Sequence, residues 1–265
     1  MKPKKRVVYH NPLEDDFAGT DIKSKPLPKN YRYLVRDPFS IAFGFLFYWV
    51  IAKPILWVVG KVFYGIKVKG KKNLRGIRHR GIFFYSNHTQ ILDGWAMQVY
   101  VATMKRTYIV ANQDATSIPG IRHLVKMLGC LPVPLNHDES VKFQEAVTKL
   151  IKRRKAISIY PEAHIWPYCT HIRPFKDDSF VYPAELCAPV IATCVTYRKR
   201  KVFKNLPPKI TIHVSKPFYP NINKSIPERK ASLRKKVYEY MLDMSCENEN
   251  YEYIEYVYEP LEQKE

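Results

Sequence analysis

The sequence predicts an α/β protein with a mostly parallel central sheet flanked by helices, preceded by an N-terminal membrane-associated helical segment. From about residue 67, short apolar runs alternate with amphipathic helical patterns. This alternation is typical of parallel strands covered by helices on both faces. A long apolar segment precedes that region. Hydrophobic residues make up 46% of the 265 residues, which allows a sizeable core and excludes a disordered chain.

The N-terminal segment, residues 1–37, is basic, polar and contains several prolines. We expect it to be extended or partly ordered, with basic side chains free to meet an anionic surface. These side chains are Lys2, Lys4, Lys5 and Arg6.

The membrane-associated segment, residues 38–66, is apolar over 39–52 and again over 55–60, with Lys53 and Pro54 between the two runs. A helix that spans a bilayer needs about 20 consecutive apolar residues. A proline inside a helix removes a hydrogen bond and disrupts the helix. The sequence therefore favours two short interfacial or re-entrant helices. A kinked span and a buried core helix are the alternatives.

The region 67–246 is predicted to be one α/β domain. Its strand-like runs are Ile82–Ser86, Thr107–Ala111, Cys130–Pro134, Ala156–Tyr160, Pro189–Val195 and Ile210–Val214. Its clearest amphipathic helices are Val141–Arg154 and Leu233–Met244. In such a sheet, functional side chains are expected where strands end and loops begin.

The acidic, tyrosine-rich tail, residues 247–265, alternates glutamate with apolar and aromatic residues. Two interpretations stay open. It is a strand or helix folded back onto a basic surface, or it is a tail that competes with the membrane.

The chain has a formal charge of +20, although the tail alone carries −6. Such an excess of positive charge predicts an anionic partner. Lipid headgroups, nucleic acid and a phosphorylated substrate all fit such a charge. No nucleic-acid-binding module is recognisable, and the apolar segment fits lipid better, so we expect no nucleic acid. The five cysteines form no C-x-x-C pair, which argues against a zinc site and against a disulfide framework. No metal site or bound cofactor is expected.

The main candidate for chemistry is a histidine five residues before an aspartate, directly after a predicted strand. These residues are His88 and Asp93, and no serine or cysteine nearby has the setting of a nucleophile. A neutral imidazole can take a proton from a hydroxyl, and a carboxylate can hold its tautomer. The pair therefore predicts a general base that activates a substrate hydroxyl. A histidine that merely caps or packs is the alternative.

Further motifs accompany this pair in a fixed order. Asn87, His88 and Asp93 give N-H-x-x-x-x-D, and Pro161-Glu162 follows a later strand. Looser matches are the run 129–135 and the strand-like run Pro189-Val190-Ile191. Together these blocks resemble the lysophospholipid acyltransferase family over roughly residues 67–214.

The resemblance implies a reaction. His88, assisted by Asp93, would deprotonate a lipid hydroxyl, which attacks the thioester of acyl-CoA or an acyl carrier protein without an acyl-enzyme. The acceptor site would include Asn87, Pro161 and Glu162. The expected product is phosphatidic acid, made from 1-acylglycerol 3-phosphate. The expected place is the cytoplasmic face of the cell membrane, reached through residues 38–66, and the expected partners are an anionic membrane surface, the lysophospholipid and the acyl donor.

The chain departs from the family pattern at the phosphate-holding positions. Leu135 stands where the second block usually ends in arginine, and the third block reads Pro161 to Ile165 as P-E-A-H-I in place of P-E-G-T-R. Basic residues available as substitutes are Arg122, Arg173 and Lys176, and His164 offers a hydrogen bond. A different lysolipid or glycolipid acceptor, or a non-catalytic membrane-binding protein, is therefore the alternative function.

Overall fold

The computed structural model describes residues 5–19, 25–117, 120, 122–246 and 250–260. Lys2 and Lys4, and the ends of the predicted tail at 247–249 and 261–265, lie outside the described residues. The strands are β1 Lys5–Tyr9, β2 Lys67–Lys69, β3 Ile82–Ser86, β4 Thr107–Ala111, β5 Cys130–Pro132, β6 Ala156–Ile159, β7 Val190–Arg198, β8 Lys209–Val214 and β9 Ile254–Tyr258. The α-helices are α1 Pro38–Leu46, α2 Lys53–Val62, α3 Asp93–Ala96, α4 Arg122–Met127, α5 His137–Lys152, α6 Val181–Glu185 and α7 Ile226–Ser245. Shorter helical turns are Phe47–Ala52 and Met97–Val101, both π-helical, and Lys71–Ile77, Gln113–Thr116 and Asp178–Phe180, which are 3₁₀.

Within the described residues, seven strands form the central sheet in the order β2-β8-β7-β3-β6-β4-β5. Every neighbouring pair is parallel except β7 with β8. The predicted mostly parallel sheet is therefore confirmed.

Two cores lie on the two faces of this sheet. Along β3, Phe83 and Tyr85 belong to one core and Ile82 and Phe84 to the other, because successive side chains of a strand point to opposite faces. The first core is covered by α5 and α7. The second is covered by the helical turns after Asp93.

The apolar segment forms one continuous helix from Pro38 to Val62, long and apolar enough to cross a membrane. The prediction of two short helices is therefore wrong. A π-helical turn, Phe47–Ala52, ends directly before Lys53-Pro54, and the Lys53 N–H that follows it donates to the Tyr48 carbonyl. This wider turn accommodates a proline that a regular α-helix would not accept. Only 11% of the apolar window is buried against the domain.

The Lys53 ammonium does not interrupt the apolar surface of the helix. It donates to the Thr103 carbonyl at 2.6 Å and lies 4.1 Å from the centre of the Trp49 ring. Closer to the end of the helix, Gly60 lies against the Tyr100 ring, where any side chain would clash. The helix is thus fixed to the domain along one side.

The two ends of the chain pair with each other. β1 and β9 form a separate parallel two-stranded sheet, with Lys5 opposite Ile254 and Tyr9 opposite Tyr258. The tail therefore folds back as a strand, which is one of the two predicted interpretations, but its partner is the N-terminal segment. Lys5 and Arg6 belong to this strand rather than to a free basic arm.

Candidate active site

His88 lies at the carboxyl edge of the sheet, two residues after β3 ends at Ser86. Its side chain is 16% exposed, and Nδ1 lies 3.2 Å from Oδ2 of the fully buried Asp93. An ionised carboxylate only accepts hydrogen bonds. With Asp93 ionised, Nδ1 carries the ring proton, and Nε2 is left as the acceptor that a general base needs.

Asp93 is fixed by the backbone of the same loop. Its Oδ2 also accepts from the N–H groups of Thr89 at 2.8 Å and Gln90 at 2.9 Å. His88 stands in the loop and Asp93 begins α3, so the turn between them bridges a spacing that a regular helix would not. This geometry holds the carboxylate against the imidazole.

Tyr160 supports the other side of the imidazole. Its ring stacks on that of His88 with centroids 4.4 Å apart and planes 23° from parallel. Its hydroxyl donates to the Asp93 carbonyl at 2.5 Å. Burial, together with the charge of Asp93, raises the pKa of Tyr160 well above its usual value, so the phenol stays protonated and keeps donating. Sequence reasoning missed this residue, although it directly precedes Pro161.

Glu162 reaches the same loop from β6, which lies beside β3. Its Oε2 accepts from the His88 N–H at 3.1 Å and from the Arg173 guanidinium at 3.0 Å. Its Oε1 accepts from the Arg173 N–H at 3.0 Å. Both side chains are only 1% exposed. The carboxylate predicted at the acceptor site is therefore engaged in holding the His88 backbone.

The other residues predicted to bind substrate differ in their burial and contacts. Asn87 is buried, and its side-chain amide bonds both the carbonyl of Val195 at 3.0 Å and its N–H at 2.8 Å, which ties the loop to β7. Pro161 is partly exposed beside Glu162, and Lys176 is exposed. Arg173 is buried and ion-paired, so its geometry favours positioning over phosphate binding.

The departures from the family pattern also have defined geometry. Ala163 has φ 64°, the left-handed conformation that favours glycine. His164 Nδ1 lies 3.6 Å from an Asp16 carboxylate oxygen. Leu135 is 67% exposed, and Arg122 donates to a backbone carbonyl at 2.8 Å.

Trp166 links the site to the ends of the chain. The Trp166 N–H donates to the His88 carbonyl at 3.1 Å, and the Tyr168 N–H donates to the Thr89 carbonyl at 3.0 Å. The indole is fully buried, and its Nε1 donates to the Asp15 carbonyl at 2.7 Å. Its ring packs against three aromatic side chains, Tyr9, Phe17 and Tyr256. Nothing in the spacing of these residues predicted the contact.

An apolar cavity of about 270 Å³ lies between the N-terminal helix and the sheet. Its walls include Leu56 of α2 and Ile109 of β4. Gly94 and Trp95, which directly follow Asp93, also line it. An apolar space thus adjoins the element that carries the candidate carboxylate.

Cys169 lies close to the site but is a poor nucleophile. Burial raises its pKa to about 12, with a smaller contribution from the charge of Glu162, so the thiol stays protonated. Within the described ranges, no group of three or more metal-binding side chains is arranged to hold a metal ion.

Comparison with known proteins places this geometry in context. An acyltransferase family model matches residues 65–196, a range that contains His88, Asp93 and Glu162. The fold is similar to the crystal structure of the 1-acyl-sn-glycerophosphate (LPA) acyltransferase, PlsC, from Thermotoga maritima, with a TM-score of 0.57 and 16% sequence identity. The match covers 78% of this chain and 89% of that chain. No curated protein sequence matches the chain.

Proposed function

Because the chain belongs to the acyltransferase family, we propose that it moves a fatty acyl group from acyl-CoA or an acyl carrier protein to the hydroxyl of a lysophospholipid. The proposed acceptor is 1-acylglycerol 3-phosphate, which gives phosphatidic acid. The proposed place is the cytoplasmic face of the cell membrane, through the helix in 38–66. The observation that carries the proposal is the 3.2 Å contact between His88 Nδ1 and Asp93 at the carboxyl edge of the sheet.

The proposed mechanism uses the free Nε2 of His88. It takes the proton of the acceptor hydroxyl while the oxygen attacks the thioester carbonyl carbon, and Asp93 stabilises the imidazolium that forms. The tetrahedral intermediate collapses, the C–S bond breaks, and the imidazolium returns the proton to the leaving thiolate. The products are the ester and the free thiol of the donor.

The apolar cavity supports a fatty acyl substrate. It lies between the membrane-associated helix and the sheet, and Gly94 and Trp95 connect it to the helix that starts at Asp93. An acyl chain in this space would be removed from water, which is favourable in proportion to the apolar area buried. We propose this cavity as the place for the acyl chain.

A different lysolipid or a glycolipid is the second candidate acceptor. It is favoured by the exposed Leu135 at a position where the family pattern has arginine, and by the burial of Arg173 against Glu162. An acceptor screen with one fixed acyl-CoA, read by mass spectrometry, separates these candidates. Phosphatidic acid as the main product would establish the first, and a product only from acceptors without a phosphate monoester would establish the second.

The base assignment is tested with His88→Ala. Loss of a general base lowers turnover by about 100-fold to 10,000-fold, and binding to vesicles should stay unchanged. The matched control is His79→Ala, which removes an exposed histidine outside the site. Thioester-dependent acylation by His88→Ala at the rate of the control would refute the assignment.

A further inference from the structure

The loop between β7 and β8, residues 199–208, stands at the active-site edge of the sheet. β7 runs parallel to β3, with Thr193 opposite Ser86. Since β7 continues to Arg198, it extends past the end of β3, and the loop begins beyond the level of His88. The antiparallel pairing of β7 and β8 closes this hairpin.

The tip of this loop exposes large apolar side chains. Val202 is 67% exposed, Phe203 is 74% exposed and Leu206 is 39% exposed. Phe203 has φ 55°, a left-handed conformation that is a genuine outlier for a bulky residue. Strained backbone of this kind persists only where the surrounding structure holds it, and it is frequent at functional positions.

All the charged residues in and beside this loop are basic. The stretch 198–209 contains six lysine and arginine residues and no aspartate or glutamate. Lys201 and Lys204, which flank Val202 and Phe203, are both exposed. Basic side chains around an exposed phenylalanine match the two components of an anionic bilayer surface, its charged headgroups and its acyl boundary.

Two arginines join this loop to the end of the membrane-associated helix. Arg200, only 7% exposed, donates to the Pro207 carbonyl at 2.5 Å and also to the Phe63 carbonyl. Arg198 donates to the Gly65 carbonyl at 2.9 Å. The end of the helix adds its own exposed apolar side chains next to these contacts, Val62 at 62% and Phe63 at 54%.

We propose that the β7–β8 loop is a second membrane-contact element, which enters the surface of an anionic bilayer beside the helix. This proposal rests on the proposed function in one respect, since it explains how the edge of the sheet that carries His88 meets a lipid acceptor. The continuity with the exposed apolar helix favours lipid over the other anionic partner, nucleic acid. The contact brings the carboxyl edge of β3 to the bilayer surface.

The test uses the full chain and vesicles of phosphatidylcholine and phosphatidylglycerol in equal amounts. One variant, Val202→Ser with Phe203→Asn, removes the apolar tip, and asparagine tolerates the left-handed backbone. A second variant, Lys201→Gln with Lys204→Gln, removes two charges. The matched control is Ile222→Ser with Lys224→Gln. Ile222 is also exposed, at 68%, but it lies four residues after Phe218, which pairs with Val190 at the start of β7. The control therefore changes the same residue types near the opposite edge of the sheet.

We expect the apolar variant to partition about tenfold more weakly than the wild type, because a large side chain no longer leaves water. The charge variant should partition about thirtyfold more weakly, from about 1 kcal/mol for each lysine near an anionic surface. Both should keep wild-type turnover on a short-chain, water-soluble acceptor and lose turnover on a vesicle-borne one. Unchanged partition of both variants would overturn the proposal, as would weakened binding to duplex DNA with no change on vesicles.

The vesicle measurement needs no catalysis, so it separates this proposal from the proposed function. If the wild type acylates no acceptor but the loop variants lose vesicle binding, the membrane contact stands alone. If the wild type is active and the loop variants bind vesicles like the control, the loop proposal fails and the proposed function stands.

Discussion

Glu162 lies just after β6 and connects that strand to His88, the proposed general base. Its two oxygens accept three hydrogen bonds, one from the His88 N–H and two from Arg173. The Arg173 guanidinium also lies 4.7 Å from the centre of the Trp166 ring and donates to the His164 carbonyl. A buried ion pair of this kind adds little net stability, but removal of one partner leaves an uncompensated buried charge.

Glu162→Gln should therefore destabilise the protein by about 3–5 kcal/mol, because it leaves the Arg173 charge unpaired. The double variant Glu162→Gln with Arg173→Met should lose less than the sum of the two single variants. Thermal unfolding of the four proteins measures this coupling.

If Arg173 instead gripped a substrate phosphate, the result would differ. Arg173→Met would then raise the KM for the acceptor and leave the free energy of unfolding at the wild-type value. That outcome would refute the positioning role inferred from burial.

At the scale of elements, the segments at the two chain ends, including the β1–β9 strand pair, pack on the loop after β6 beside the candidate active site. Phe17 donates its N–H to the Ile165 carbonyl at 3.2 Å, and the Tyr256 hydroxyl donates to the Pro167 carbonyl at 2.9 Å. Tyr256 also stacks on Trp166, with centroids 4.9 Å apart. These segments lie outside the range that the family model matches, yet they pack on the loop that bonds the His88 carbonyl.

Tyr256→Ala should lower kcat by about tenfold to 100-fold, since a small displacement of a positioned base has effects of this size. Tyr256→Phe keeps the ring and should retain most of the activity. Turnover is measured below the unfolding temperature of each variant. Amide hydrogen exchange of the peptide around His88 should rise in the alanine variant.

Phe143→Leu is the matched control, because it disturbs a buried aromatic of the core under α5 rather than of this strand pair. It should lower the unfolding temperature with little loss of kcat. An equal loss of kcat in this control would show that general destabilisation, and not positioning, explains the effect of Tyr256→Ala.

At the scale of the whole molecule, the positive charge and the apolar helix would both contribute to the proposed membrane binding. The chain carries +20, and the helix Pro38–Val62 leaves its apolar surface largely uncovered by the domain. Binding to neutral vesicles depends on the apolar term, which salt does not screen. Binding to anionic vesicles adds an electrostatic term, which falls with ionic strength because the Debye length shrinks from about 10 Å at 0.1 M to about 3 Å at 1 M.

We therefore expect added salt to weaken partition into anionic vesicles until it approaches the value for neutral vesicles. Partition into phosphatidylcholine alone should change little over the same range. Sedimentation with vesicles at several salt concentrations gives both curves. Complete release from neutral vesicles in dilute buffer would contradict the contribution assigned to the helix.

The central fold and the ordered motifs were predictable from the sequence because their signals are local. The runs Ile82–Ser86 and Thr107–Ala111 match β3 and β4 residue for residue, since buried parallel strands read as short apolar runs. The start of α7 at a capping box, Ser225 with Glu228, was missed, because the amphipathic stripe becomes clear only further along. The proline at position 54 misled, because the helix continues past it through a π-helical turn over Phe47–Ala52.

The sequence by itself predicted which residues carry the proposed chemistry, because the block of Asn87, His88 and Asp93 and the Pro161-Glu162 block resemble those of the lysophospholipid acyltransferase family. Only the tertiary structure decided how they are used. It places Arg173 on Glu162, Tyr160 on the His88 ring and the two chain ends on Trp166. The physical reason is that a hydrogen bond or a ring contact between residues far apart in the chain depends on which strands become neighbours. A local pattern of residue types does not specify which strands become neighbours.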